Sequence, residues 1–238
     1  MKKKVLFLGA SGLIGPYLTP GLEDHCDLHL ADIKPHPDST PVDHVDVTSY
    51  KQVHEAARGM DALMNFTVVR GDQADSFHVN TRGAWHVMRA AAAHGIKKVI
   101  HSGPQQVRRA YDWDFDIVDV PLVPNTGYYG CTKFLAGEIC RIFARRYRIH
   151  TASFVFNGLG PAPTEPITGE DSPVFRVYWE DLQHVCRLAL DIEEIPGYYQ
   201  EFNMHSCDIQ GKYLLDKARR ILGFEPMQSW DTYYKRTP

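Results

Sequence analysis

The 238-residue chain contains no apolar run approaching the length of a membrane-crossing helix, which excludes a helical span. It has little excess charge: 26 Lys and Arg stand against 29 Asp and Glu, a formal net charge of -3. Nucleic-acid binding through a bulk basic field is therefore not expected. Cysteine is sparse, odd in number and scattered (Cys26, Cys131, Cys140, Cys186, Cys207), with no CxxC. That pattern argues against a disulfide framework or a cysteine-held zinc, and it suits a reducing, cytoplasmic compartment. The twelve histidines form neither HxH nor HExxH, and pairs such as His86 and His94 lack ligand spacing, so no metal site is expected. What is present is apolar material at 44% of positions, enough for a full core and against disorder as the main state.

Lys2-Lys3-Lys4 before Val5-Leu6-Phe7-Leu8 imitates the start of a signal peptide. The reading adopted here is a basic lead into a buried first strand, because glycines with their own logic follow at once. A helix then runs to about Glu23, with Pro16 in its first turn and Pro20 shortening or bending it. Further strands are expected at Asp27–Asp32, His44–Asp46, Ala62–Phe66, Lys97–His101, Ile149–Phe156 and Glu201–Met204. Helices are expected at Ser49–Arg58, Gln73–His94, Tyr128–Tyr147, Glu180–Asp191 and Gln210–Leu222. Alternation of this kind predicts an α/β fold, a doubly wound parallel sheet of the Rossmann type. Glycines and prolines after Phe156 mark a change of texture, so residues 1–156 read as a dinucleotide-binding domain and 157–238 as a small substrate-binding lobe.

Gly9, Gly12 and Gly15 fall between the first strand and the first helix. Glycine there lets the backbone turn tightly and approach a pyrophosphate, while the helix N-terminus supplies N–H donors and partial positive charge. Ser11, Leu13 and Ile14 lie in the same loop. Asp32 closes the second strand, where a carboxylate can accept hydrogen bonds from ribose hydroxyls and would repel a 2′-phosphate, so NAD is favoured over NADP. The alternative for Asp32 is a turn or capping residue. Asp46, next to Val47, could meet the adenine amino group or could cap the helix that follows. Ile33 and Phe66, at the ends of strands two and four, complete the expected cofactor surroundings with Asn80.

Tyr129 and Lys133 are four apart on one predicted helix and share a face. A phenol of ordinary pKa about 10 is a poor base at neutral pH, but a neighbouring ammonium stabilises the phenolate. Tyr129 could then exchange the proton of a substrate hydroxyl while hydride moves to or from a nicotinamide. A surface Tyr–Lys pair is the alternative.

Together, the GxxGxxG loop, the acidic end of strand two, Asn80-x-x-Gly83 and Tyr129-x-x-x-Lys133 resemble the extended short-chain dehydrogenase/reductase superfamily, in its NAD-dependent epimerase/dehydratase group. Asp119-Val120-Pro121 through Tyr129-Gly130, Asn157-Gly158-Leu159-Gly160-Pro161, Trp179-Glu180-Asp181 and Phe202-Asn203-Met204 are similar to further stretches of that group. The resemblance implies catalytic roles for Tyr129, Lys133 and a strand-five hydroxyl, cofactor contacts for Tyr129 and Lys133, and a helix that often pairs two subunits, so a homodimer is a possible assembly. The short region after Asn157 resembles the uronate dehydrogenase branch, implying a free sugar acid as substrate.

Two departures stand out. Counting back from Val107, the usual hydroxyl position falls on Pro104, and Ser102 lies two residues early. Ser102 serves, or Gln105 or Thr126 replaces it, or catalysis is impaired; a missing donor of this kind costs on the order of 10²–10³ in rate. Phe154 stands where the pattern often has Arg, which weakens binding of a diphosphate sugar. Arg108-Arg109 suits a small anionic substrate or is a solvated pair. The stretch Asp112 to Asp116 is expected to turn its aromatics inward and its acids outward. The expectation is an NAD-dependent oxidoreductase acting on a hydroxyl carbon of a sugar or sugar acid. The alternatives are an epimerase/dehydratase of a nucleotide sugar and an NAD-binding sensor without redox turnover.

Overall fold

The computed structural model describes residues 2–104, 124, 126–156, 158–168, 176–206, 214–227 and 234–235. In chain order the strands are β1 (Lys4–Leu8), β2 (Asp27–Asp32), β3 (Asp43–His44), β4 (Ala62–Asn65), β5 (Lys98–Pro104), β6 (His150–Phe156), β7 (Gly158–Gly160), β8 (Ile167–Thr168), β9 (Arg176–Tyr178), β10 (Tyr199–Asn203) and β11 (Tyr234–Lys235). The helices are α1 (Gly15–Leu22), α2 (Tyr50–Ala56), α3 (Gln73–Ser76), α4 (Gly83–His94), α5 (Tyr128–Tyr147), α6 (Trp179–Asp191) and α7 (Asp216–Leu222).

Seven strands form one sheet in the order β3-β2-β1-β4-β5-β6-β10, and every pairing is parallel. Along β1, Val5 and Phe7 enter one core layer while Leu6 and Leu8 enter the other. A strand covered on both faces needs apolar residues at every position, which explains its unbroken apolar run. One layer packs α1, α6 and α7 on the sheet through Leu18, Leu22, Val185, Cys186 and Ala218. The other packs α2, α4 and α5 through Val53, Val87, Met88, Ala136 and Ala144. This is the doubly wound fold expected from the alternation of elements. The strand order reverses between β1 and β4, and in open sheets of this kind ligands bind at the carboxyl ends of the strands beside such a reversal.

Several boundaries differ from expectation for identifiable reasons. β3 pairs at Asp43 and His44 opposite Ala31 and Asp32, so the third strand starts and ends before the predicted His44–Asp46. The helix expected over Gln73–His94 is broken by a π-helical turn at Phe77–Arg82. β5 runs on from His101 to Pro104, beyond the Asn65 end of β4, where a residue lacking an N–H breaks no bond to that neighbour. β10 begins two positions before Glu201 and joins the main sheet beside β6. α7 starts at Asp216; the residues 207–213 leading into it lie outside the described set, as do Gln105, Arg108, Arg109 and Asp112 to Asp116.

Candidate active site

The glycine turn sits where β1 and β4 release their chains. Gly9 adopts φ +88°, and a Cβ there would lie 2.8 Å from the Phe66 carbonyl carbon and 2.9 Å from the Thr67 nitrogen. Only glycine satisfies both the left-handed backbone and that approach. A Cβ at Gly15 would collide with the Ala10 backbone, so the third glycine lets α1 start against the strand. The turn is pinned by hydrogen bonds from the Gly9 N–H to the Ala31 carbonyl (2.9 Å) and from the Gly12 N–H to the Gly9 carbonyl (3.1 Å). The Ser11 hydroxyl is buried with no hydrogen-bond partner among the described residues. A buried orphan donor beside a cradle that a Cβ would fill suits a pyrophosphate, so these residues fit a dinucleotide.

Asp32 organises this end. Its Oδ2 accepts from the Ser11 N–H and its Oδ1 from the Lys34 N–H, each at 3.0 Å. One carboxylate thus fixes both the glycine loop and the turn after β2, and each oxygen keeps acceptor capacity for a ribose hydroxyl. Leu13 and Ile33 expose 66% and 54% of their surface on either side, an apolar rim with no protein cover among the described residues. Ile14 turns inward to the core, and Phe66 packs edge-on against Phe7. Asp46 Oδ1 accepts from the Thr48 N–H (2.8 Å), while Ser49 caps α2 through the Gln52 N–H. Val47 is buried against Gly83, and its carbonyl bonds His86. Asp46 thus holds the turn before α2, and the cap of that helix is Ser49, not Asp46.

At the other end, α5 begins at Tyr128 after Gly127 and carries Tyr129 and Lys133 on one face. Lys133 is buried, and its Nζ donates to the Ser102 Oγ at 3.3 Å. Burial, with the Arg70 guanidinium adding to it, pushes the Lys133 ammonium down to about 8. Ser102, at the carboxyl end of β5, therefore meets Lys133 two positions before Pro104. Gln105 lies outside the described residues, and Thr126 is exposed. Phe154, where an Arg was weighed, is fully buried in the core near Phe202. Trp179 stacks on Tyr17 with ring centroids 4.2 Å apart.

Two further side chains at this edge carry no signal in the sequence. The loop from β4 to α3 brings Arg70 over the Tyr129 ring, its guanidinium carbon 5.3 Å from the centroid. The Tyr128 hydroxyl donates to the Arg70 carbonyl at 2.8 Å, which ties this loop to the start of α5. His101, next to Ser102, is fully buried with neither ring nitrogen partnered among the described residues, and burial together with the Lys133 charge holds it well below its ordinary pKa. A loop arginine carries no periodic signal and His101 sits in an ordinary strand pattern, so neither was visible before the chain folded. Asn80 is placed behind this site. Its Oδ1 accepts from the Val69 N–H (2.9 Å), and its Nδ2 donates to the Val69 carbonyl (2.9 Å) and the Thr132 Oγ1 (3.0 Å).

Comparison with known proteins bears on the family and the fold. The chain is 30% identical over 168 residues to a uronate dehydrogenase of Pseudomonas putida, a match covering 67% of this chain and 62% of that protein. It is 28% identical over 169 residues to a uronate dehydrogenase of Pseudomonas syringae pv. tomato, covering 67% and 61%. The chain thus spans less than two thirds of the length of these relatives. A solved structure described as a mutated uronate dehydrogenase superposes with a TM-score of 0.81 at 21% identity, over 97% of this chain and 84% of that one, which establishes the shared fold. The pattern of the NAD dependent epimerase/dehydratase family matches residues 5–175, and this chain belongs to that family.

Proposed function

We propose that the protein is an NAD-dependent dehydrogenase that oxidises the hydroxyl carbon of a sugar acid. The observation that carries this reading is the contact between Lys133 and Ser102 beside Tyr129, at the same sheet edge as the glycine turn and Asp32. The uronate dehydrogenase relatives support the sugar-acid class over a nucleotide sugar. The buried Phe154, where an arginine would help hold a diphosphate, argues in the same direction.

The glycine turn, the Ser11 hydroxyl and Asp32 would hold the pyrophosphate and adenosine ribose, and Lys133 the nicotinamide ribose. NAD, when bound, supplies the acceptor for the hydride that leaves the carbinol carbon. Tyr129 takes the hydroxyl proton as the carbonyl forms. The Lys133 ammonium favours the phenolate of Tyr129. Ser102 accepts a hydrogen bond from Lys133, so its own O–H remains to donate to the reacting oxygen.

We also propose a homodimer through α5, whose Leu135 and Ile142 expose 40% and 58% of their surface beside the exposed Trp85 of α4. Mixing the protein with NAD and D-glucuronate tests the activity: reduced nicotinamide should accumulate, whereas tight NAD binding with no product would favour a sensor. Conversion to an isomer without net NADH would favour an epimerase.

A further inference from the structure

The segment between β4 and α3 is held more firmly than a surface loop requires. Asn65 Oδ1 accepts from both the Thr67 N–H (3.3 Å) and the Thr67 hydroxyl (2.7 Å). Asn80 grips Val69 on its N–H and its carbonyl. The Tyr128 hydroxyl then donates to the carbonyl of Arg70. Three side chains, Asn65, Asn80 and Tyr128, thus fix the backbone that presents exposed Arg70 above the ring of Tyr129.

No ion pair or hydrogen bond engages the Arg70 guanidinium among the described residues, and its contact there is with the face of Tyr129. A guanidinium lying against a ring keeps its edge donors available, and those donors match a carboxylate in a two-point fork. The second cation at this edge, Lys133, is buried, with its described hydrogen bond going to neutral Ser102. Arg70 lies near enough for its charge to act on Lys133, and of these two cations Arg70 is the one that solvent reaches. Its charge also contributes to pushing Lys133 down to about 8, so an anion bound to Arg70 would relieve part of that strain on the ammonium.

We infer that Arg70 selects the acidic substrate, its guanidinium pairing with the carboxylate of a sugar acid seated against Tyr129. This rests on the dehydrogenase reading above and assigns the group that makes the site prefer an acid to a neutral sugar.

The test compares the natural protein with Arg70→Gln and Arg70→Lys, using D-glucuronate and D-glucose as probes. Turnover is followed with NAD. Binding is followed by titrating D-glucuronate calorimetrically into protein loaded with NADH, where oxidation cannot run. Arg70→Gln should lower kcat/KM for glucuronate about 10- to 100-fold, mainly through KM, and weaken glucuronate binding by a similar factor. The glucuronate-to-glucose preference should fall with it. Arg70→Lys should recover part of the loss, because the charge remains and the fork does not. Unchanged glucuronate affinity and preference in Arg70→Gln would overturn the assignment while leaving the dehydrogenase reading intact. Glucuronate binding that depends on Arg70 without any turnover would do the reverse. Absence of glucuronate binding by the natural protein would overturn both.

Discussion

Lys133 is the residue on which the site turns, because it is buried yet must carry charge. Its contact with Ser102 supports the proposal that this serine, two residues before Pro104, serves as the strand-five hydroxyl. Replacing Tyr129 with Phe should lower kcat by about 10²–10⁴ while NAD binding persists, measured by steady-state rates and calorimetry. Retained turnover would remove Tyr129 from proton transfer. Asp32→Ala should weaken NAD more than NADP, because the carboxylate that repels a 2′-phosphate is gone; an unchanged preference by calorimetry would reject its role. Tyr129, Lys133 and Asp32 were legible because their meaning lies in spacing along one helix or at the end of one strand. Arg70 was not, since its place over Tyr129 depends on the Tyr128 hydroxyl reaching a carbonyl far away in sequence.

The elements that frame the site show where periodicity stops being informative. Gln73 to His94 reads as one helix, yet the π-helical turn at Phe77–Arg82 inserts between α3 and α4. Such turns are common at functional sites, and here the turn carries Asn80, buried against Thr132 of α5. The apolar pattern cannot reveal this, because one amide bonding Val69 twice is a tertiary event. β3 was similarly displaced, since a two-residue strand is set by its partner β2 and not by its own pattern. Asn80→Ala removes three hydrogen bonds and takes their amide partner from the half-buried Val69 N–H and carbonyl, so thermal or denaturant unfolding should show a loss of roughly 1–3 kcal/mol. The same variant should lose glucuronate affinity through the loosened Arg70 loop. A fully stable variant with normal affinity would deny Asn80 its clamping role.

Across the whole molecule, the doubly wound parallel sheet was readable from the alternation of strands and helices, whereas the place of β10 beside β6 in that sheet, and the strands β7, β8, β9 and β11, were not. They pair segments far apart in sequence without a periodic signal. Burial of charge-bearing groups makes the stability of this sheet depend on pH. His101 is held well below its ordinary pKa by burial, and His86 is lowered for the same first reason. Below about pH 6.5 the unfolded chain takes up protons that these folded imidazoles refuse, so stability should fall as pH drops through that value. His101→Leu should flatten part of that slope in denaturant melts between neutral and mildly acidic pH, and an identical slope would refute it. Lys133 acts at the other end: between about 8 and 10.5 only the unfolded chain keeps its proton, so stability should rise with pH there. The exposed stripe of α5 gives a further expectation at this level. Ile142→Glu should convert a dimer to a monomer in analytical ultracentrifugation, and a natural protein that sediments as a monomer would remove the proposed interface.

The most direct measurement is the near-ultraviolet absorbance of reduced nicotinamide when the purified protein meets NAD and D-glucuronate. The account predicts a steady rise that Tyr129→Phe abolishes and that glucose supports less well. A flat trace with saturating NAD bound, or a rise indifferent to Tyr129, would contradict it.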